Sequence, residues 1–116
     1  MTEQKSEQLV DLIAKLNLPK AKPIEIPELV KQLADVMGVD LILTCSAAPE
    51  QYDVRRDGKP AGYIRARSGF TVDYPDAGGE ELYSGSQDGF GAFTDHERES
   101  KLLFALGLIA ARMNRA

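Results

Sequence analysis

The chain has 116 residues, 43% of them hydrophobic and 28% charged, with a formal net charge of −4 and a single cysteine, Cys45. That composition describes one globular domain and excludes an intrachain disulfide, and no apolar run reaches the roughly 20 residues that a membrane-spanning helix needs. The polar start, without an apolar leader core, argues against anchoring or Sec-type export, so a cytoplasmic protein is expected.

In chain order, residues 6–16 place Leu9, Val10, Leu12, Ile13 and Leu16 at helical spacing behind Ser6, an N-cap residue type. Pro19, Pro23 and Pro27 prevent this helix from continuing, so residues 18–26 read as an extended arm. The expected division is an N-terminal helix and proline-containing arm over 1–26 and an α+β domain over 27–116. A second helix starts at Pro27, carries Leu29, Val30, Leu33, Ala34 and Met37 on one face, and ends at Gly38. Residues 39–45 form an apolar run, expected as a strand covered on both faces with Cys45 as a small buried hydrophobe.

The pattern between residues 52 and 84 is the most specific in the chain. Asp57-Gly58 and Ser68-Gly69 separate alternating segments whose inward positions are Tyr52 and Val54, then Ile64 and Ala66, then Phe70, Val72 and Tyr74. Period-2 alternation broken by Asp-Gly predicts antiparallel hairpins. A turn is expected at residues 75–79, then a short edge strand over 80–83 and a Gly/Ser-rich loop over 84–93, expected to be mobile. Thr94-Asp95-His96-Glu97 has capping-box spacing and opens a helix from Asp95 to about Asn114. Its residues Leu102, Leu103, Leu106, Ile109, Ala110 and Met113 make one stripe. Phe104 and Leu108 make a second stripe, which needs cover from the first helix or from a second copy of the chain. The fold expected is therefore a single α+β domain, with N-terminal helices, a mainly antiparallel sheet of four or five strands and a long C-terminal helix on one face.

Charge is distributed unevenly. Residues 68–99 hold eight carboxylates (Asp73, Asp76, Glu80, Glu81, Asp88, Asp95, Glu97, Glu99) against one arginine, Arg98, which leaves the rest of the chain slightly basic. Aromatic residues Tyr74, Tyr83, Phe90 and Phe93 stand among the acids Asp76, Glu80, Glu81 and Asp88, a combination suited to a basic partner surface. Arg55, Tyr63, Arg65 and Arg67 share one face of the first hairpin and form an alternative site for single-stranded nucleic acid by charge and stacking, disfavoured by overall acidity and by nearby carboxylates that can pair with the arginines.

Catalytic and metal signatures are weak. His96 is the only histidine and sits in the capping box, where a solvated first-turn residue is expected. Ser84-x-Ser86-x-Asp88-Gly89 followed by Asp95 mimics EF-hand spacing, but Ser84 in the first position and a short Asp in the last argue against calcium. No phosphate-binding Gly-x-x-x-x-Gly-Lys or Gly-x-Ser-x-Gly elbow occurs, so no cofactor or metal is expected and an enzyme ranks third among the readings. The order helix, strands, helix is similar to double-stranded-RNA-binding domains in topology alone, and Asp95, Glu97 and Glu99 stand where those domains have lysines.

Asp57-Gly58-Lys59 with Gly62-Tyr63-Ile64-Arg65-Ala66-Arg67-x-Gly69, then Tyr74-Pro75-Asp76-x-Gly78-Gly79-Glu80 with Tyr83, and Phe93-x-Asp95-x-Glu97-Arg98 before a helix together make a motif series. In this series the chain resembles small phage- and prophage-encoded proteins without an established activity, over roughly its C-terminal two-thirds. The resemblance implies a mobile-element accessory protein, a class in which small acidic domains often bind and inhibit host proteins. The leading expectation is thus a noncatalytic interaction module that inhibits or modulates a host protein, as a monomer or as a homodimer through the C-terminal helix.

Overall fold

The computed structural model describes residues 23–46 and 49–115; the helix expected over 6–16 lies outside them. Helix α1 (Glu28–Met37) leads into five strands, β1 (Asp40–Cys45), β2 (Glu50–Arg56), β3 (Lys59–Ala66), β4 (Phe70–Tyr74) and β5 (Glu80–Gly85), followed by helix α2 (Asp95–Asn114). The strands form one antiparallel meander in the order β1-β2-β3-β4-β5, and α1 and α2 pack against each other and on the sheet. The expected α+β fold with a C-terminal helix on the sheet is the fold observed.

Local chemistry accounts for each element. Pro27 directly precedes α1 and its carbonyl accepts from Val30 and Lys31. At the other end the Gly38 amide returns to the Ala34 and Asp35 carbonyls. The β2–β3 turn places Asp57 at φ 52° and Gly58 at φ 76°. Two consecutive positive φ values match the right-handed strand twist, and only glycine and short polar residues adopt them readily. The β4–β5 turn contains a cis Tyr74–Pro75 bond. It is closed by Asp76 Oδ1 accepting from the Ala77 amide at 2.9 Å, and by the Gly79 amide donating to the Asp76 carbonyl at 2.9 Å. The Tyr-Pro-Asp-x-Gly-Gly run is thus turn chemistry.

The core lies between the sheet and the two helices, where Val30, Ala34, Tyr52, Val54, Ile64, Ala66, Phe70, Val72, Leu102, Ala105, Leu106 and Ile109 are buried. Phe70 is its aromatic hub, with ring centres 5.2 Å from Tyr83, 5.3 Å from Phe93 and 6.2 Å from Phe104. Phe104 also meets Tyr83 edge-on at 4.9 Å. Part of the second stripe of α2 therefore rests on the β4–β5 side of the sheet, with Phe104 still half exposed.

One expectation is corrected. β1 is an edge strand with alternating burial, not a strand covered on both faces. A continuous apolar run does not require two-sided cover, and Leu41 and Leu43 turn toward the helices while Ile42 remains 41% exposed on the open face.

Candidate functional site

A buried, densely hydrogen-bonded constellation joins β2 to the start of α2. Glu50 opens β2 on the same face as Tyr52 and Val54, which makes it an inward position despite its charge. Arg98 falls one helical turn before Leu102 on the buried side of α2. Two opposite charges on core-facing positions must meet or remain unsatisfied. They meet as a two-point pair, Arg98 Nε donating to Glu50 Oε2 at 2.9 Å and Nη2 to Oε1 at 3.0 Å. The Phe93 amide donates to Glu50 Oε1 at 3.1 Å, and the Tyr52 hydroxyl donates to Oε2. Arg98 also donates to the Phe93 carbonyl at 2.9 Å and to Asp95. Burial and its hydrogen bond to Glu50 hold the Tyr52 hydroxyl neutral far above its ordinary range. The bonds to Glu50 outweigh burial at Arg98 and hold its guanidinium charged. With its donors and acceptors matched inside the core, this cluster is a structural tie between strand and helix.

A second carboxylate organises the loop before α2. Glu97 completes the capping box with Thr94, as its spacing predicts, and its carboxylate accepts from the amides of Asp88 at 2.9 Å, Gly89 at 2.8 Å and Thr94 at 2.8 Å. Burial alone would push Glu97 up, but these donors prevail and hold it below its ordinary value. The loop is fastened elsewhere too: the Gly91 amide donates to the Arg67 carbonyl and the Glu50 amide to the Gly91 carbonyl, each at 3.0 Å. The Gln87 side-chain amide donates to the carbonyls of Arg67, Gly89 and Ala92. At Gly89 any Cβ would lie 1.9 Å from the Ala92 carbonyl oxygen, so the fold of the loop demands glycine there. The segment expected to be mobile is therefore a pinned loop, and at its tip Phe90 is fully exposed.

The residues singled out for partner binding are dispersed by the fold. Phe93 is buried, and Tyr83 is half buried against Phe70 and Phe104. Tyr74 lies under the Arg112 guanidinium at 4.7 Å, and Arg112 Nε donates to Glu80 at 2.6 Å, so this end of β5 is tied to α2. Asp76 is part of the β4–β5 turn, and Glu81 is exposed beside it. Asp88 and Phe90 lie beyond the opposite end of β5. Four strand residues, 82–85, lie between Glu81 and the far end of β5, about 13 Å of extended chain at ~3.3 Å per residue. Glu80 and Glu81 therefore do not share one patch with Asp88 and Phe90.

The open face of the sheet carries the alternative site. Register aligns Ile42, Asp53, Tyr63, Asp73 and Glu81 in one row across all five strands, and Gln51, Arg65, Thr71 and Ser84 in the next. Tyr63 thus stands between two aspartates. Burial raises the pKa of its hydroxyl, Arg65 opposes this, and Asp53, Asp73 and Asp76 add to the rise. Arg55 pairs with Asp53 at 3.4 Å and donates to the Gly58 carbonyl at 3.4 Å. Arg67 falls beyond the end of β3, where its carbonyl and amide serve the neighbouring loops.

His96 is exposed on the first turn of α2. Among the described residues no group of three or more His, Cys, Asp or Glu side chains is placed to hold a metal ion, and no helix is long and apolar enough to cross a membrane. Sequence reasoning overlooked the Glu50–Arg98 pair. Its signal was present, because both residues fall on stripes otherwise filled by core hydrophobics. No family model, curated protein or solved structure matches the chain.

Proposed function

We propose that the protein is a noncatalytic protein-interaction module whose principal anchor is Phe90, flanked by Asp88, on the loop before α2. The observation that carries this reading is a fully exposed phenylalanine on a loop whose backbone is held by Glu97, Gln87 and Arg67. An aromatic side chain on a preorganised backbone loses little entropy on binding, and such residues dominate interface energetics. The adjacent Asp88 carboxylate favours a basic group beside the partner's apolar pocket. The motif resemblance supports a mobile-element protein that inhibits or modulates a host protein. Nucleic-acid binding through Tyr63, Arg65 and Arg67 ranks lower, because Asp53 and Asp73 flank the tyrosine and repel phosphate.

The test is affinity capture of the tagged chain from bacterial lysate, with and without nuclease, comparing wild type with Phe90→Ala. Loss of about 2 kcal/mol, a partner bound more than tenfold more weakly, is expected for a central aromatic anchor. Asp88→Lys is expected to weaken capture, and reversal of Glu80 and Glu81 to weaken it less. A folded Phe90→Ala protein that recovers a nuclease-resistant partner as well as wild type does would refute the reading.

A further inference from the structure

The outward face of α2 is uncharged through the middle of the helix. Ser100, Leu103, Phe104, Gly107, Ala110 and Ala111 fall at i, i+3, i+4, i+7, i+10 and i+11, so they share one side. Phe104 is 46% exposed, and Gly107 and Ala111 are exposed as well. The neighbouring cations are turned toward the sheet: Lys101 sits over the Phe70 ring at 5.6 Å, and Arg112 is held by Glu80 and Tyr74. Helix α1, packed beside α2, extends the face. Its Leu29 and Val36, 50% and 85% exposed, lie on the side away from the β1 groove, which takes Lys31, Ala34 and Asp35.

Gly107 adds an observation of a different kind. Glycine inside a helix costs stability relative to alanine, yet no atom of the fold lies within 4 Å of the place where a Cβ at 107 would stand. Nothing within the described chain requires the missing side chain. A bare backbone at the centre of an exposed helix face serves the close approach of something outside the fold.

We propose that two copies of the chain pair through α2, antiparallel, about a two-fold axis passing beside Gly107. The helix is self-complementary in that register. Gly107 meets the second copy's Gly107, Phe104 packs on its Ala111, and Ser100 meets its Asn114, both seven positions from the axis. Charge selects the antiparallel arrangement. Asp95 and Glu99 lie near the start of α2, whereas Arg112 and Arg115 lie at its end with no carboxylate after Glu99. Each copy therefore sets its acidic end beside the basic end of the other, and the two helix dipoles run in opposite directions. A parallel pair would bring like ends together, and a partner of one sign would be opposed at one end.

The test is the mass of the full-length chain by light scattering and sedimentation over a concentration series. The wild type is expected to associate to a two-chain mass. Gly107→Glu is expected to give a one-chain mass with an unchanged circular dichroism spectrum, since residue 107 faces open space in the single chain. In a Cys45→Ser background, Gly107→Cys is expected to form a disulfide-linked dimer under mild oxidation, because helices packed about 8–10 Å apart bring facing Cα atoms within disulfide reach. His96→Cys, far from the axis, is expected to stay unlinked. A wild-type chain at one-chain mass throughout the series would overturn the proposal, and a gain of hydrophobic-dye binding on Leu12→Glu would then assign the cover of this face to residues 9–16 of the same chain. A dimer that survives Gly107→Glu would overturn it too, by placing the interface elsewhere.

Discussion

The two connections at the ends of β5 look alike in sequence and are built on different physics. Each holds two glycines and one aspartate. The β4–β5 turn closes on itself: Asp76 serves Ala77 and Gly79, and Asp73 Oδ2 accepts from Gly78 at 3.3 Å, all within five positions along the chain. The connection to α2 is held from a distance by Arg67, Glu50 and Glu97, with Gln87 reaching back 20 positions to the Arg67 carbonyl. A local turn survives small changes elsewhere in the fold, whereas a loop fastened by distant groups inherits the stability of the core. Phe90 thus acquires a fixed position through the core itself.

The largest break in this symmetry is expected at Arg98. Arg98→Met leaves the Glu50 carboxylate buried without its cation and should lower stability by about 3–5 kcal/mol. It should also release the loop, read as faster amide exchange at residues 88–93 with the β4–β5 turn unchanged. Adding Glu50→Gln, which keeps a carbonyl oxygen for the Phe93 amide and sets an NH2 that can donate to the Tyr52 hydroxyl, should recover part of the loss in chemical denaturation. If the two losses simply add, the pair does not act as the tie described.

A smaller effect is expected at Glu97. Glu97→Ala strands three amide donors and removes one half of the capping box, a loss of about 1–3 kcal/mol. Because the folded protein holds this carboxyl below its ordinary value of 4.5, its contribution is present above that pH and is lost as pH falls below it. Urea midpoints measured on either side of pH 4.5 should fall less in Glu97→Gln than in wild type. Equal declines would show that Glu97 is not an acid-sensitive part of the clamp.

The smallest effect is expected in the local turn. Asp76→Ala removes one exposed hydrogen bond and should lower stability by about 0.5–1 kcal/mol without disturbing the loop before α2. Altered amide exchange at Gly89 in this variant would show that the two connections are coupled.

Much of the fold was legible because it rests on short-range rules. Asp57-Gly58 dictates a tight hairpin, Thr94 and Glu97 cap a helix, and alternation assigns Tyr52, Ile64 and Val72 to one face. The candidate site was less legible. Tyr83 and Phe93 read as exposed aromatic residues beside acids until the hub at Phe70 drew them inward. Glu80 read as a partner-binding charge until the end of α2 brought Arg112 onto it.

By itself the amino-acid order determined the α+β class and the kind and order of the described elements, the turns between β2 and β3 and between β4 and β5, and which side of most strands faces the core. These depend on backbone preferences and side-chain period, which act over a few residues. Tertiary structure decided that Glu50 meets Arg98 from 48 positions away, that Phe90 stands exposed while Phe93 is buried, and that β1 is a terminal strand of the sheet. Each depends on which distant surfaces close on one another, and that is set by the packing of the whole core.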